Sequence, residues 1–343
     1  MLIYVMANNY GVNSDGIGKY ASNFIETLVK EKKDVNFEIF TANTYAFSKI
    51  HRIFSLKMSY CVDKLIRKIK KRKPDLVLVE YPFVEENPLF LLKYRKLCKI
   101  CKKNNIKVSL SLHEYSRVHK MKQYYIRKLV KNANFILMTN DGDRKKLIEY
   151  NSDIYIRRIP TSINYEIKDK IQKQNNLFVY FGLINSSKAF DEMIKAWKQF
   201  NKNNQYILEI LTASNIKLEN SKDIKIFKNL CDEDIAKHLM KAKYSILPIK
   251  PCVYINNSSF ISSAKYGCIC IGKFDNSLTN EKFLIDVENY ELDNFVFGLK
   301  SALLKDNECV NFAQRFGEKY DIKTVCKNNY NIFCREIKYE NRD

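Results

Sequence analysis

No stretch of the 343-residue chain approaches the ~18–20 uninterrupted apolar residues that span a bilayer, so no crossing helix is expected. Glycine and proline are scarce, with 9 and 6 residues, while 46% of the chain is hydrophobic and 28% charged. That balance excludes collagen-like and disordered classes and describes an ordinary globular chain. The opening Met-Leu-Ile-Tyr-Val-Met lacks a basic segment and a long apolar core. It does not read as a secretory signal, and a cytoplasmic location is expected. Among the ten cysteines only Cys98 and Cys101 form a CxxC, inside a helical run, and no second pair stands at zinc-ribbon distance. Reduced thiols and no bound metal are the expectation. Zinc-finger, RNP-type and basic-zipper patterns are also missing, which argues against a nucleic-acid partner.

What is present begins with length. A single core stops growing at roughly 250–300 residues, so two domains are expected. The formal charge of +21 is uneven: residues 1–165 hold 32 Lys/Arg against 15 Asp/Glu, and residues 166–343 hold 27 against 23. A basic first half and a nearly neutral second half imply an anionic partner for the first.

Short β-rich runs alternate with longer helical ones, as in βαβ units around parallel sheets. The pattern predicts strands over 2–6, 37–41, 76–80, 107–112 and 135–139, then over 177–181, 206–212, 224–227, 244–248 and 269–272. Helices are predicted over 18–31, 60–72, 89–104, 120–131 and 142–150, then over 191–201, 232–241, 259–266 and 280–287. The polar stretch 168–176 reads as a joint between two doubly wound α/β units, 1–165 and 176–319. A closing helix over about 320–343 is expected to pack back on the first. Ligands of such sheets lie beyond the carboxyl ends of the strands.

Four segments fall at such ends. The loop carrying Gly11, Asp15, Gly16 and Gly18 follows the first strand and opens a helix, where backbone N–H groups can meet a phosphate. It is neither a Walker A loop nor a GxGxxG fingerprint. His113, one of four histidines, emerges from a strand end followed by Glu114 and Arg117, where it can share a proton with a hydroxyl. Gly182 closes a strand, and Lys188 stands before the next helix as a point charge for a diphosphate. Asn256-Asn257-Ser258-Ser259 leads into a short helix whose N-terminus offers N–H and O–H donors.

In order and spacing these segments resemble family 4 of the GT-B glycosyltransferases, which build bacterial capsule and lipopolysaccharide glycans. Gly16-Ile-Gly-Lys-Tyr is similar to that family's first glycine loop, Leu112-His-Glu to its His-Asp strand end, and Ile159-Pro-Thr-Ser-Ile-Asn to its interdomain joint. Phe181-Gly-Leu-Ile-Asn-Ser-Ser-Lys is similar to its phosphate loop. The family's loop arginine falls on Leu183, and its paired glutamates fall on Tyr254 and Ser262. The chain thus looks like a divergent subgroup.

The resemblance implies a GT-B fold, two Rossmann-like domains facing a cleft, and transfer of a sugar from a nucleotide diphosphate sugar to a lipid-linked or growing glycan. It implies no cofactor and retention of configuration. Gly16, Gly18, Lys188, Asn256, Asn257, Ser258 and Ser259 would hold the diphosphate. Gly182, Asn229, Leu230, Cys231 and Ser262 would line the nucleoside. His113 would touch the transferred sugar, with Asp15 or Glu114 as a general base if the reaction inverts. The basic first half would rest on the anionic inner membrane face. A nucleotide-sugar 2-epimerase, a non-enzymatic nucleic-acid or glycan binder and an inactive scaffold are the alternatives.

Overall fold

The computed structural model describes residues 1–7, 10–11, 16–41, 51–54, 58–81, 88–116, 118–161, 163, 165 and 171–338. It divides into two compact units, Met1–Arg158 with Ile322–Asp343, and Ile159–Asp321.

The first unit is built on β1 (Leu2–Met6), β2 (Asn36–Thr41), β3 (His51–Phe54), β4 (Leu76–Tyr81), β5 (Lys107–Leu112), β6 (Phe135–Met138) and β7 (Ile154–Ile156). All pair in parallel, in the order β3-β2-β1-β4-β5-β6-β7. Parallel strands need crossovers, supplied here by α1 (Gly16–Glu31), α2 (Met58–Lys71), α3 (Pro88–Lys103), α4 (Lys120–Val130) and α5 (Asp141–Leu147). Helices must cover both faces of such a sheet, which is why its strands read as continuous apolar runs.

The two-residue side-chain period sorts those runs. Tyr4, Met6, Val77, Val79, Val108, Leu110, Leu112, Ile136 and Met138 form one cluster with Leu65 and Ile69 of α2, Leu97 of α3 and Leu129 of α4. The opposite face is covered by α1 and by the last helix, α11 (Ile322–Ile337): Phe24 meets Phe333 at 6.3 Å, and Phe333 meets Phe135 at 6.5 Å. On that second face the strands turn polar, with Glu80, Ser109 and Ser111 all buried. Cys98 and Cys101 lie buried and free inside α3, and burial pushes both thiols up to about 12.

The second unit repeats the design with β8 (Gln174–Phe181), β9 (Ile207–Thr212), β10 (Ile224–Lys228), β11 (Ala242–Ile246), β12 (Ile269–Gly272) and β13 (Leu284–Asp286), in the order β10-β9-β8-β11-β12-β13. Its helices are α6 (Phe190–Phe200), α7 (Asp232–Lys241), α8 (Ser258–Lys265), α9 (Leu292–Ala302) and α10 (Asn307–Glu318). Alternation is again visible: Leu177 and Val179 pack with α7, while Phe178 and Tyr180 pack with α6. Phe178 sits at the centre of an aromatic group, 5.3 Å from the Trp197 ring and 4.5 Å from Tyr244.

Two expectations need correction. Residues 280–287 are not a helix: turns lead into β13, and the next helix is α9. The apolar run Phe283-Leu284-Ile285 fits either form at that length, and pairing with Cys270–Gly272 decides it. The polar joint also ends sooner than expected, because β8 begins at Gln174, whose backbone pairs with Ala242 while its side chain stays in solvent. Backbone pairing asks nothing of the side chain at an exposed strand end. The short strands β3 and β7 had no prediction.

Gly317 of α10 lies against α8, and a Cβ there would overlap the backbone of Lys265 and Ala264. Gly317→Ala should therefore destabilise this unit by roughly 1–3 kcal/mol, the usual cost of overpacking. The fluorescence of Trp197, the single tryptophan, reports the shift in a urea titration.

Candidate functional site

In a 3-2-1-4-5-6 sheet the chain leaves the first strand in one direction and the fourth in the other, opening a crevice between their carboxyl ends. In the second unit these are β8 and β11. Gly182 follows β8, with φ +147° and its N–H bonded to Leu211 O at 3.1 Å. A Cβ at Gly182 would stand 2.9 Å from Ser259 Oγ, so the absence of a side chain lets the N-terminus of α8 approach the strand end. The rest of the loop is pinned: Tyr180 Oη donates to Leu183 O at 2.9 Å, and Ile184 N donates to Ser214 Oγ at 2.8 Å.

Asn257 caps α8, its Oδ1 accepting from Phe260 N at 3.0 Å. That leaves its amide N–H2 and the first backbone N–H groups of the helix, with the hydroxyls of Ser258 and Ser259, as donors. No acidic residue occupies the first turn, so the helix dipole there is uncompensated. The loop bearing Lys188 is tied to the segment after β11: Lys188 bridges Ile249, Ala189 N donates to Pro248 O at 2.7 Å, and Lys250 N donates to Ser187 O at 2.9 Å. Lys188 therefore stands at the same edge as α8. Glu192 is engaged by Lys250 at 2.8 Å, and the half-buried Lys188 ammonium has no ion pair among the described residues. Burial lowers its pKa. A half-desolvated, unpaired cation beside a helix N-terminus is a place for an anion.

The remaining predicted nucleoside residues lie on the same edge. Asn229 follows β10 with φ 54°, and its N–H returns to Thr212 O at 3.2 Å. Leu230 is half-buried, and Cys231, exposed, is the N-cap position of α7 with Sγ 3.1 Å from Asp234 Oδ2. Ser262 is buried in α8 and shares a 2.8 Å hydrogen bond with Thr161 Oγ1. It faces protein, not solvent, and so braces the helix. Leu183, at the position of the family arginine, is 59% exposed.

In the first unit, Gly16 opens α1, which also lacks an acidic first turn, and Gly18 O accepts from Gly11 N at 3.1 Å. Asp15 and Arg117 lie outside the described residues. His113 leaves the carboxyl end of β5, held by Thr139 Oγ1 donating to its carbonyl at 2.8 Å. Beyond the half-buried Glu114, the chain is fastened by Asp143, which accepts from Tyr115 N at 2.9 Å and Ser116 N at 3.0 Å.

Two functional candidates escaped the sequence reading. The Glu80 carboxylate takes His113 Nε2 at 3.2 Å and Arg157 Nη1 at 2.7 Å, and Arg157 also donates to Ser111 Oγ at 2.7 Å. Side chains of both Glu80 and Arg157 are 1% exposed. Burial alone raises a carboxyl pKa, but Arg157 and then His113 outweigh it and hold Glu80 well below the ordinary range. The signal was present: in register Glu80↔Ser111, polar residues at 80, 109, 111 and 113 alternate with apolar ones and share one sheet face. Among the described residues no group of three or more His, Cys, Asp or Glu is placed to hold a metal ion.

No protein-family model and no curated protein matches the chain by sequence. Solved structures match over nearly its whole length. A glycosyltransferase from Rickettsia africae superposes with TM-score 0.70 at 13% identity, covering 99% of this chain and 99% of that one. An alpha-glucosyltransferase in complex with UDP and a 13-mer DNA gives 0.65 at 13% identity, covering 97% and 99%. A Listeria monocytogenes structure assigned as a UDP-N-acetylglucosamine 2-epimerase gives 0.66 at 11% identity, covering 99% and 98%. The chain has the α/β GT-B fold, two Rossmann-like units each built on a parallel sheet.

Gly182→Ala tests the crevice. The backbone conformation disfavours an L side chain and the new methyl displaces Ser259, so a loss of roughly 1–3 kcal/mol is expected. Circular dichroism melting reads it as a lowered midpoint.

Proposed function

We propose that the chain is a glycosyltransferase that moves a sugar from a nucleotide diphosphate sugar onto a hydroxyl of a lipid-linked or growing surface glycan, with retention. The observation that carries this reading is the half-buried, unpaired Lys188 at the same sheet edge as Gly182 and the acid-free N-terminus of α8. A departing nucleoside diphosphate develops negative charge, and an ammonium with preorganised N–H donors stabilises it without a metal or cofactor. Ser258, Ser259, Asn256 and Asn257 take the diphosphate, and the strand ends at Asn229, Leu230 and Cys231 take the nucleoside. His113 serves a sugar hydroxyl, and Glu114 is the candidate base if the reaction inverts. Two of the compared structures are transferases and one of these, the alpha-glucosyltransferase, contains UDP, which supports a nucleotide sugar as donor. The epimerase likeness supports a second reading, isomerisation of the same donor class. Analysis of products separates them: an epimerase leaves the nucleotide attached.

The acceptor side is read from the first unit. The amino ends of α3 and α4 lie at the carboxyl edge of the sheet, as His113 does, and carry the exposed Leu89, Leu92, Met121 and Tyr124 among lysines. Apolar side chains ringed by cations suit an anionic lipid surface, and they bring a lipid-linked acceptor to that edge. No helix among the described residues is long and apolar enough to cross a membrane.

Three outcomes are expected. In thermal-shift panels with UDP, GDP, dTDP and CMP, one diphosphate raises the midpoint, and Lys188→Ala weakens it roughly tenfold or more by calorimetry. Because burial lowers the Lys188 pKa, its charge disappears as pH rises through a value below the usual ~10.4. Affinity therefore falls on the alkaline side earlier than for a solvated lysine, and Lys188→Ala lacks that limb. Association with anionic vesicles weakens in Leu92→Glu/Met121→Glu, whereas charge reversal of Lys70, Lys71 and Arg72, at the carboxyl end of α2 and so at the opposite sheet edge, leaves it unchanged. Tighter binding to duplex DNA than to vesicles across a salt series points instead to nucleic acid.

A further inference from the structure

The chain carries two histidines held by carboxylates through opposite ring nitrogens. His113 meets Glu80 through Nε2 at 3.2 Å, whereas His238 meets Glu209 through Nδ1 at 2.7 Å. An ionised carboxylate only accepts, so the ring nitrogen facing it must carry the proton. Glu80 is kept ionised by Arg157, which it contacts at 2.7 Å in a site where both side chains are 1% exposed.

Arg157 is braced by backbone and by aromatic rings. Arg157 follows β7, and its N–H donates to Met138 O at 2.6 Å. Its guanidinium lies 4.5 Å from the Tyr20 ring centre and 4.7 Å from that of Phe24, both in α1. Tyr20 in turn meets the imidazole edge-on at 5.4 Å. Ser111 Oγ accepts a further hydrogen bond from Arg157. A buried ion pair is seldom retained for stability, since apolar residues of similar size do as well, and its common use is to fix one arrangement. Here what it fixes is the ring at the carboxyl edge. The His113 side chain is 11% exposed, and its Nδ1 has no hydrogen-bond partner among the described residues.

We propose that Glu80, anchored by Arg157, is a positioning residue that locks neutral His113 in the Nε2–H tautomer and so presents Nδ1 as a hydrogen-bond acceptor to a ligand hydroxyl. The ligand class follows from the chemistry. A bare Nδ1 receives a hydroxyl proton and is repelled by carbonyl or carboxylate oxygens, so the edge selects a polyol over an acidic sugar. This deepens the transferase reading and rests on it for the identity of the hydroxyl, while the tautomer itself does not.

The test is a long-range 1H–15N correlation spectrum of histidine-labelled protein at a pH where the rings are neutral. His113, assigned by its loss in His113→Gln, should show a protonated Nε2 and a bare Nδ1. His238 should show the reverse and serves as the internal control. A His113 signal with Nδ1 protonated, with both nitrogens protonated, or averaged between tautomers overturns the proposal. Glu80→Gln sharpens it. Arg157 keeps the amide oxygen, so the amide N–H2 faces the ring, and the tautomer should invert. An unchanged tautomer in a folded Glu80→Gln overturns the role of Glu80, and if that variant does not fold, the wild-type spectrum decides.

Turnover is followed with UDP-glucose and UDP-N-acetylglucosamine. With whichever is used, kcat of Glu80→Gln should fall about tenfold to hundredfold with donor KM little changed. Equal kcat overturns the positioning role. Absence of turnover by the wild-type protein with either donor counts against the transferase reading and leaves the tautomer result standing.

Discussion

A parallel sheet cannot close a hairpin on itself, and this constraint organises the molecule. Each strand must be followed by a crossover, a helix in most cases and an irregular segment between β9 and β10 and between β12 and β13, so the strands deliver their carboxyl ends, and the crossover helices their N-termini, to one edge. That edge collects backbone N–H groups and partial positive charge, and where the strand order reverses, no crossover covers it. Both units meet the constraint in the same way, with the first and fourth strands adjacent, β1 beside β4 and β8 beside β11.

The two edges nevertheless carry different chemistry. In the second unit the crevice is made by subtraction: glycine at 182 removes a side chain, acidic residues are absent from the first turn of α8, and Lys188 has no counter-ion among the described residues. In the first unit the corresponding edge is dense with paired groups. Glu80 takes both His113 and Arg157, and Arg157 donates to Ser111, drawing together β4, β5 and the segment after β7 under two aromatic rings of α1. One edge offers an unsatisfied cation and the other a ring held in one orientation.

Much of the architecture was legible because the sheets are buried on two faces. Continuous β-branched runs such as Leu-Val-Leu-Val-Glu-Tyr suit a covered parallel strand, and the alternation of such runs with amphipathic helices yields the two α/β units. The strand-end positions of Gly182, His113 and Lys188 follow from the same pattern. Less legible were short edge pieces: β13 and β7 have three residues each, too few to display a period. The intended bracing role of Ser262 was likewise hidden, since its partner Thr161 lies 101 residues away.

By itself the amino-acid sequence determined the order of the longer strands and most of the helices, though not of β3, β7, β13, α9 and α10, together with the loops that reach the carboxyl edges and the basic character of the first half. These are local properties, set by hydrophobic period, turn residues and charge. Only the tertiary structure decided that Arg157 would neutralise Glu80 from 77 positions away, that Lys250 and not Lys188 would take Glu192, and that His113 would meet its carboxylate through Nε2. Ion pairing and tautomer choice depend on distances of a few ångströms between strands that share no local pattern, and a chain acquires those distances only when its sheet closes.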